Sequence, residues 1–251
     1  MSATGTDWQA WLRSWEEQQG GPMPRREERF QIIVEAVRAH CGGEPRVLDL
    51  GAGPGSLSLR LVGAIPGARV VAVDRDPVLL ELGRRALAAE DRVSFADLDL
   101  GAAELLSLGG HFDAAVSTTA LHWLRLEPLR HLYRSLAVML RPGGLFLNGD
   151  RHFGTDSPLD RLAAEMQRAR EPDEEAAVWP SWEGWWQAIE TDPAFADAFA
   201  ERRRRQHDHP HHHEAPTLAD HERALREAGF REVGTLWQRG DNRLLCAVLG
   251  G

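Results

Sequence analysis

Three glycines follow a short apolar run in the segment VLDLGAGPG, residues 47–55. Gly51, Gly53 and Gly55 would let the backbone turn tightly and would let a ligand approach main-chain atoms without meeting a Cβ. The apolar run predicts a buried strand, and a helix predicted from about Ser56 would present its free N–H groups to that ligand. The segment therefore predicts a nucleotide-binding loop at a strand-to-helix turn.

Two features of this loop argue against a dinucleotide. In the G-x-G-x-x-G pattern of NAD-binding loops the third glycine would stand at position 56, which is Ser56. Asp49 lies within the approach to the loop and would repel a pyrophosphate, whereas it suits a cationic ligand that carries an ammonium and a sulfonium group. The loop therefore favours S-adenosylmethionine over NAD.

Acidic residues end the next two predicted strands. Asp74 ends the strand predicted at 69–74, where a carboxylate can accept hydrogen bonds from both hydroxyls of a ribose. Asp97 and Leu98 follow the strand predicted at 92–96. Asp97 could accept a hydrogen bond from an adenine amino group while Leu98 packs near the ring.

Taken together, these segments resemble a class I S-adenosylmethionine-dependent methyltransferase of the small-molecule type. The resemblance rests on residues 49–55, Asp74, Asp97, the predicted strand 112–117 (FDAAVS) and residues 141–144 (RPGG), which follow in the family's order. It covers about residues 46–149 and the C-terminal hairpin. It implies a doubly wound, Rossmann-like α/β sheet of seven strands, the last one antiparallel, and S-adenosylmethionine as the cofactor. The cofactor-binding residues expected on this basis are Asp49, Gly51, Ala52, Gly53, Gly55, Asp74, Arg75, Asp97, Leu98, Ser117 and Thr118.

Candidate catalytic residues follow the fourth and fifth predicted strands. His122 comes five residues after Ser117, and Asp150 and His152 follow the strand predicted at 144–148. Methyl transfer from a sulfonium is an in-line displacement, so a base is needed only where the acceptor must lose a proton, and a neutral histidine suits that task. We therefore expect His122, Asp150 and His152 to be catalytic. The alternative for His122 is a buried histidine that is hydrogen-bonded to backbone.

The hydrophobic periodicity divides the chain into four parts. Residues 1–44 predict an N-terminal helical cap, 45–149 the cofactor-binding core, 150–216 a helical insertion that caps the substrate, and 217–251 a helix and a hairpin that complete the sheet. Tryptophans recur at helical spacing in both caps. They either pack the caps onto the sheet or line a pocket for a flat or cationic acceptor. These tryptophans are Trp8, Trp11, Trp15, Trp182, Trp185 and Trp186.

Histidines cluster at positions 207–213 in the segment QHDHPHHHE. Alternate histidines of an extended segment could bind one metal ion, or one of them could face the substrate. The cluster follows the run Arg202–Arg205 and lacks the tight spacing of Cys/His metal motifs. We therefore expect no metal site, and we expect the arginine run to be a solvated helix end.

The composition excludes several function classes. All 29 basic residues are arginine, so no lysine is present for a P-loop or a Schiff base. The net charge of −9 disfavours nucleic acid as a partner. There is no apolar run long enough for a membrane span and no signal-peptide pattern at the start, and the only cysteines are Cys41 and Cys246. We therefore expect a cytoplasmic enzyme.

The expected function is methyl transfer from S-adenosylmethionine to a small-molecule acceptor, and natural products and secondary metabolites are the acceptor class considered. The alternatives are an NAD(P)-dependent oxidoreductase, a non-catalytic S-adenosylmethionine-binding protein, and a methyltransferase that acts on nucleic acid or protein. The sequence leaves open the acceptor, the methylated atom and the oligomeric state.

Overall fold

The computed structural model describes residues 5–20, 26–151, 157–168, 181–205 and 215–251. Its strands are β1 (Arg46–Leu50), β2 (Arg69–Asp74), β3 (Val93–Asp97), β4 (Phe112–Thr118), β5 (Leu140–Asp150), β6 (Phe230–Arg239) and β7 (Asn242–Leu249). Its helices are α1 (Trp8–Gly20), α2 (Arg26–Cys41), α3 (Ser56–Ala64), α4 (Pro77–Ala86), α5 (Leu126–Met139), α6 (Pro158–Arg168), α7 (Trp182–Glu190), α8 (Ala196–Arg204) and α9 (Leu218–Ala228).

The strands form one seven-stranded sheet in the order β3-β2-β1-β4-β5-β7-β6. Strands β1 to β5 are parallel, and β7 runs antiparallel to both of its neighbours. The chain moves from β1 to one edge through β2 and β3, and then returns to the other side of β1 through β4. This reversal creates a crevice at the carboxyl ends of β1 and β4, where doubly wound sheets bind ligands. The fold predicted from the sequence is confirmed.

Helices cover both faces of the sheet because its strands are apolar on both sides. On one face, Phe30 and Ile33 of α2 and Leu61 of α3 are buried against the strands. On the other face, Leu136 of α5 and Leu225 of α9 are buried. Helix α2, which was expected to belong to the N-terminal cap, therefore lies in a layer against the sheet.

A third apolar cluster joins α1 to the helical insertion. Leu12 and Trp15 of α1 pack with Leu79 of α4, Trp185 of α7 and Phe199 of α8. Fully burying an apolar side chain of this size contributes about 1.5 to 3 kcal/mol, so this cluster anchors α1 and the insertion above the sheet edge. We call α1, α7 and α8 together the roof.

No helix within the described ranges is both long enough and apolar enough to cross a lipid bilayer.

Candidate functional site

A cavity of about 760 Å³ opens at the carboxyl ends of β1, β2 and β4, beneath the roof. Its volume lies within the range of sites that enclose small molecules. Several residues expected from the sequence line it, namely Asp49, Gly51, Ala52, Gly53, Asp74, Arg75, Thr118 and His122. Four expected cofactor residues, Gly55, Asp97, Leu98 and Ser117, are not among its lining residues.

The glycine loop follows β1 and needs glycine for two reasons. Gly51 and Gly53 have φ values of +67° and +55°, in the left-handed region that favours glycine. A Cβ at Gly51 would also collide with the Cβ of Ala120. Gly55 has a different role from the expected one, because it precedes α3 as its N-cap and packs close to Leu87 and Phe95. The loop therefore offers main-chain atoms to the cavity at Gly51 and Gly53.

Asp74 connects the glycine loop to the turn after β2. Its carboxylate accepts hydrogen bonds from the backbone N–H groups of Gly53 at 2.7 Å, Arg75 at 2.7 Å and Asp76 at 2.9 Å. Burial raises the pKa of Asp74 to about 6, and these N–H donors oppose the shift. The side chain thus holds the shape of the loop, in addition to any contact it makes with a ribose.

Asp49 supplies a second acid to the cavity wall. It is almost fully buried in β1 and accepts a hydrogen bond from Oγ of Ser58 at 2.7 Å. Burial raises the pKa of Asp49 to about 7, because a carboxylate away from water disfavours its charge. A cationic ligand in the cavity would reverse this effect and stabilise the ionised form.

Asp97 and Leu98, the residues expected at the adenine, lie beside the cavity rather than in its lining. Asp97 is bound through both carboxylate oxygens by Arg205, at 2.7 and 2.8 Å, outside the cavity. Asp99 and Leu100 line the cavity instead, and Arg75 pairs with Asp99 at 2.8 Å. Asp97 and Leu98 line a neighbouring pocket that shares Arg75 and Asp99 with the cavity, so their expected role in adenine binding stays a prediction.

Ser117 is also a structural residue. It is fully buried in β4, and its hydroxyl donates to the carbonyl of Leu50 at 2.8 Å, which ties β4 to β1. The next residues, Thr118 and Thr119, line the cavity. Thr119 has a φ of +50°, which is rare for a β-branched residue and turns the chain sharply after the strand.

This turn leads to a short 3-10 helix, Leu121–Trp123, which carries His122. Nδ1 of His122 lies 2.9 Å from Oδ2 of Asp150, the last residue of β5. The imidazole lines the cavity and lies against the indole of Trp123, with 4.9 Å between the ring centroids. The structure thus brings together two of the three expected catalytic residues. The third, His152, lies outside the described residues.

Asp150 is buried and has other polar neighbours besides His122. Its Oδ1 accepts the backbone N–H of Arg151 at 2.7 Å. Arg29 is fully buried behind β5 and donates to Asn242 at 2.9 Å. Burial lowers the pKa of Arg29 to about 10, and the negative charge of Asp150 opposes that shift. Arg29 and Asp150 therefore attract each other electrostatically.

Aromatic side chains form a large part of the cavity wall. The tryptophans of the two caps serve both roles considered from the sequence, because some pack the caps and others line the cavity. Trp185 is buried within the roof and donates its indole N–H to Oγ of Ser14 at 3.0 Å. Trp15, Trp182 and Trp186 line the cavity, together with Phe30 and Trp123.

Contacts between the insertion and the core were missed by the sequence interpretation. Arg202 donates to Asp76 at 2.8 Å, and Arg205 binds Asp97, so half of the arginine run is engaged with the core. Their i, i+3 spacing on one helix face is the signal that could have identified them. The histidine cluster at 207–213 lies outside the described residues, and no group of three potential metal ligands occurs among those that are described.

Comparison with known proteins agrees with this geometry. The sequence profile of the "Methyltransferase domain" matches residues 47–144, from the start of β1 into β5. A demethylmenaquinone methyltransferase of Clavibacter sepedonicus is 39% identical over 118 residues, which are 47% of this chain and 45% of that protein. A release factor glutamine methyltransferase of Deinococcus radiodurans is 40% identical over 209 residues, 73% of this chain and 66% of that protein. The chain thus spans about half to two thirds of the length of these relatives.

A solved structure extends the likeness beyond the core. The magnesium protoporphyrin IX methyltransferase of Synechocystis PCC 6803, solved with bound SAH, superposes with a TM-score of 0.55. The alignment covers 99% of this chain and 95% of that protein at 18% identity, so it concerns the fold alone.

Proposed function

Because the chain belongs to the class I S-adenosylmethionine-dependent methyltransferases, we propose that it methylates a small molecule whose acceptor atom carries a proton. The observation that carries the proposal is the His122–Asp150 pair, since its imidazole lines the cavity that also contains the glycine loop. The glycine loop alone would indicate only that the cavity binds a ligand. A histidine paired with a buried carboxylate is also suited to taking up a proton.

The residues present fit the family's cofactor, S-adenosylmethionine. Gly51 and Gly53 present backbone to the cavity, and Asp49 and Asp74 place carboxylates where a ligand with ammonium and sulfonium groups would benefit from them. When bound, this cofactor supplies a methyl group on a positively charged sulfur and leaves as the neutral thioether S-adenosylhomocysteine. Acids in an enclosed cavity favour the cation over the neutral product.

His122 has a defined part in this scheme. Its Nδ1–H donates to Asp150, which fixes the tautomer in which Nε2 is the basic nitrogen. Nε2 takes the proton of the acceptor's O–H or N–H group as that atom forms its bond to the methyl carbon. The carboxylate of Asp150 then stabilises the imidazolium. The buried Arg29 has a favourable electrostatic interaction with that carboxylate.

The cavity wall favours a flat acceptor. Aromatic side chains bind planar rings well through their faces and edges. Those that line the cavity are Trp15, Trp123, Trp182, Trp186 and Phe30. The release factor methyltransferase among the relatives makes a protein side chain the alternative acceptor. We favour a small molecule because α1 and α7 enclose the cavity from above.

Thermal denaturation tests the cofactor part of this proposal. S-adenosylhomocysteine at saturating concentration should raise the melting temperature by mass action, whereas NAD(H) and NADP(H) should leave it unchanged. Stabilisation by a dinucleotide alone would contradict the proposal and favour an oxidoreductase.

The acceptor part is tested by methyl transfer from labelled S-adenosylmethionine to panels of planar phenols and heteroaromatic N–H compounds. Aliphatic alcohols and amines of equal size serve as the matched controls. We expect label to enter planar compounds preferentially. Label that enters only a peptide substrate would contradict the small-molecule assignment.

A further inference from the structure

Two arginines at the end of α8 fasten the insertion to the core. Nε of Arg202 donates to Oδ2 of Asp76 at 2.8 Å. Arg205, the next residue after α8, binds both oxygens of Asp97 and also donates to the backbone carbonyl of Arg75 at 3.1 Å. These contacts lie beside the segments that follow β2 and β3, where the acidic residues Asp76 and Asp99 line the cavity.

The two arginines between them behave differently. The side chains of Arg203 and Arg204 are 64% and 77% exposed, and they pair with Glu190 and Glu201 within the insertion itself. Exposed pairs of this kind contribute little to stability. The arginine run therefore has one face directed at the core and one face directed at solvent, which provides matched control positions on the same helix.

Arg202 has a second contact that reaches the cavity wall. Its guanidinium carbon lies 4.1 Å from the centroid of the Trp186 ring, a cation–π geometry. Trp186 lines the cavity, and so does Asp76, which also caps α4 by accepting from the N–H of Val78 at 2.9 Å. Arg202 thus connects a side chain of the cavity wall to the N-terminus of the core helix α4.

The Trp186 ring also packs against the apolar cluster that includes residues of α1, α4 and α8. Its Nε1–H is buried and has no hydrogen-bond acceptor among the described residues. Its aromatic contacts with Trp182, Trp185 and Phe199 are edge-to-face, at centroid distances of 5.8, 5.1 and 6.2 Å. Two of these neighbours belong to the same helix and would move with it. The guanidinium of Arg202 contacts this ring and connects it through an ion pair to Asp76 of the core.

We propose that Arg202 is a positioning residue that holds the Trp186 indole in the cavity wall, with Arg205 securing the same helix end beside β3. The guanidinium suits this task because its plane can stack on the indole while its N–H groups reach the Asp76 carboxylate. The consequence for ligand binding rests on the proposed function, since it takes the cavity to be the cofactor and acceptor site. The positioning of the indole itself does not depend on it.

The position of the indole can be observed directly by ¹⁹F NMR of the full chain labelled with 5-fluorotryptophan. The chain contains nine tryptophans, and Trp186→Phe assigns the resonance of interest by its disappearance. In Arg202→Gln we expect the Trp186 resonance to shift or broaden. In Arg203→Gln, which removes a guanidinium from the solvent face of the same helix, we expect it to remain in place.

Ligand affinity provides the second readout. Losing a partly buried cation–π contact and its ion pair should weaken S-adenosylhomocysteine binding by about tenfold in Arg202→Gln, while Arg203→Gln stays within about twofold of the wild type. Arg202→Lys retains the charge but not the planar stack, so it should still displace the Trp186 resonance while keeping the melting temperature.

An unchanged Trp186 resonance in folded Arg202→Gln would overturn the proposal. If that variant does not fold, an unchanged resonance in Arg202→Lys would overturn it equally. Failure of the wild type to bind S-adenosylhomocysteine would instead count against the proposed function. The comparison of the Trp186 resonance between the two glutamine variants would still test the positioning role.

Discussion

Nδ1 of His122 lies 2.9 Å from the carboxylate of Asp150, although 28 positions separate the two residues in the chain. The sheet brings them together, because β4 and β5 are parallel neighbours and Thr118 pairs with Gly149. The residues that follow these pairing positions therefore emerge side by side at the same edge. That edge also carries the glycine loop, so a proton acceptor and a cofactor-binding segment share one cavity.

We predict that His122→Asn lowers turnover about 10²- to 10⁴-fold with little change in cofactor affinity. Asp150→Asn should also lower turnover strongly, because an amide no longer fixes the basic nitrogen of the imidazole or stabilises its cation. Steady-state kinetics on the acceptor found by the screen, with S-adenosylhomocysteine calorimetry, measures both quantities.

The exposed His40 provides a matched histidine control outside the cavity. His40→Asn should retain wild-type kinetics. A folded His122→Asn variant with wild-type turnover would remove His122 from the reaction. A parallel loss of melting temperature and cofactor affinity would instead identify it as a structural histidine.

A second prediction concerns Asp74. Its carboxylate accepts three backbone N–H groups around the loop and is expected to accept ribose hydroxyls as well. Asp74→Ala should therefore weaken S-adenosylhomocysteine binding by roughly 2 to 3 kcal/mol. Calorimetry on the folded variant measures this, and an unchanged dissociation constant would mean that the ribose lies elsewhere.

A third prediction separates Asp99 from Asp97 as the acceptor for the adenine amino group. Wild type should bind S-adenosylhomocysteine more tightly than its inosine analogue, which lacks that amino group. The preference should persist in Asp97→Asn, whose native carboxylate is bound to Arg205, and should be lost in Asp99→Asn. Comparing each single variant with wild type on both ligands isolates the hydrogen bond to the adenine amino group. Loss of the preference in Asp97→Asn alone would restore the original assignment.

The sequence predicted those parts of the site that local patterns control. The bounds of β2 agree with the predicted strand because a short, buried apolar run is flanked by turn residues. Asp76 caps α4 and Pro77 stands in its first turn, and both residue types are typical of a helix start. His122 and Asp150 were both expected at the sheet edge, but their direct contact required the strand pairing.

What could not be predicted depends on contacts between distant segments. Arg205 binds Asp97 across 108 positions, so the acid that the family pattern favours for adenine is occupied by the insertion. Local sequence also gives no sign that Ser117 faces the carbonyl of Leu50 rather than the cavity. In both cases a side chain of the expected type is present, and tertiary packing gives it another partner.

A fourth prediction concerns pH and stability. The folded pKa of Asp49 is raised to about 7 by burial, above the value of about 3.9 expected in an unfolded chain. Between these values the folded state holds more protons than the unfolded state, so the free energy of unfolding should fall as pH rises from 4 to 7. Asp74, with a pKa raised to about 6, acts in the same direction.

Asp49→Asn should therefore be more stable than wild type at pH 8, and this advantage should shrink near pH 5, as measured by chemical denaturation. The pH dependence of ligand affinity should have the opposite sign, because a cationic ligand favours the ionised carboxylate of Asp49. The affinity for S-adenosylmethionine should rise from pH 6 to pH 8 by more than the affinity for neutral S-adenosylhomocysteine, and Asp49→Asn should flatten that difference. Equal pH dependence for the two ligands in the wild type would contradict the role given to Asp49.

The central claim is that the cofactor and the His122–Asp150 pair serve one reaction, and a crystal structure of the complex with S-adenosylhomocysteine tests it most directly. An acceptor atom must lie about 3 to 3.5 Å from the methyl carbon and within about 3 Å of the base. We therefore predict that the thioether sulfur lies on the same side of the cavity as Nε2 of His122, with room for a single acceptor atom between them. A sulfur separated from the imidazole by protein, or too distant for one atom to contact both, would contradict the account.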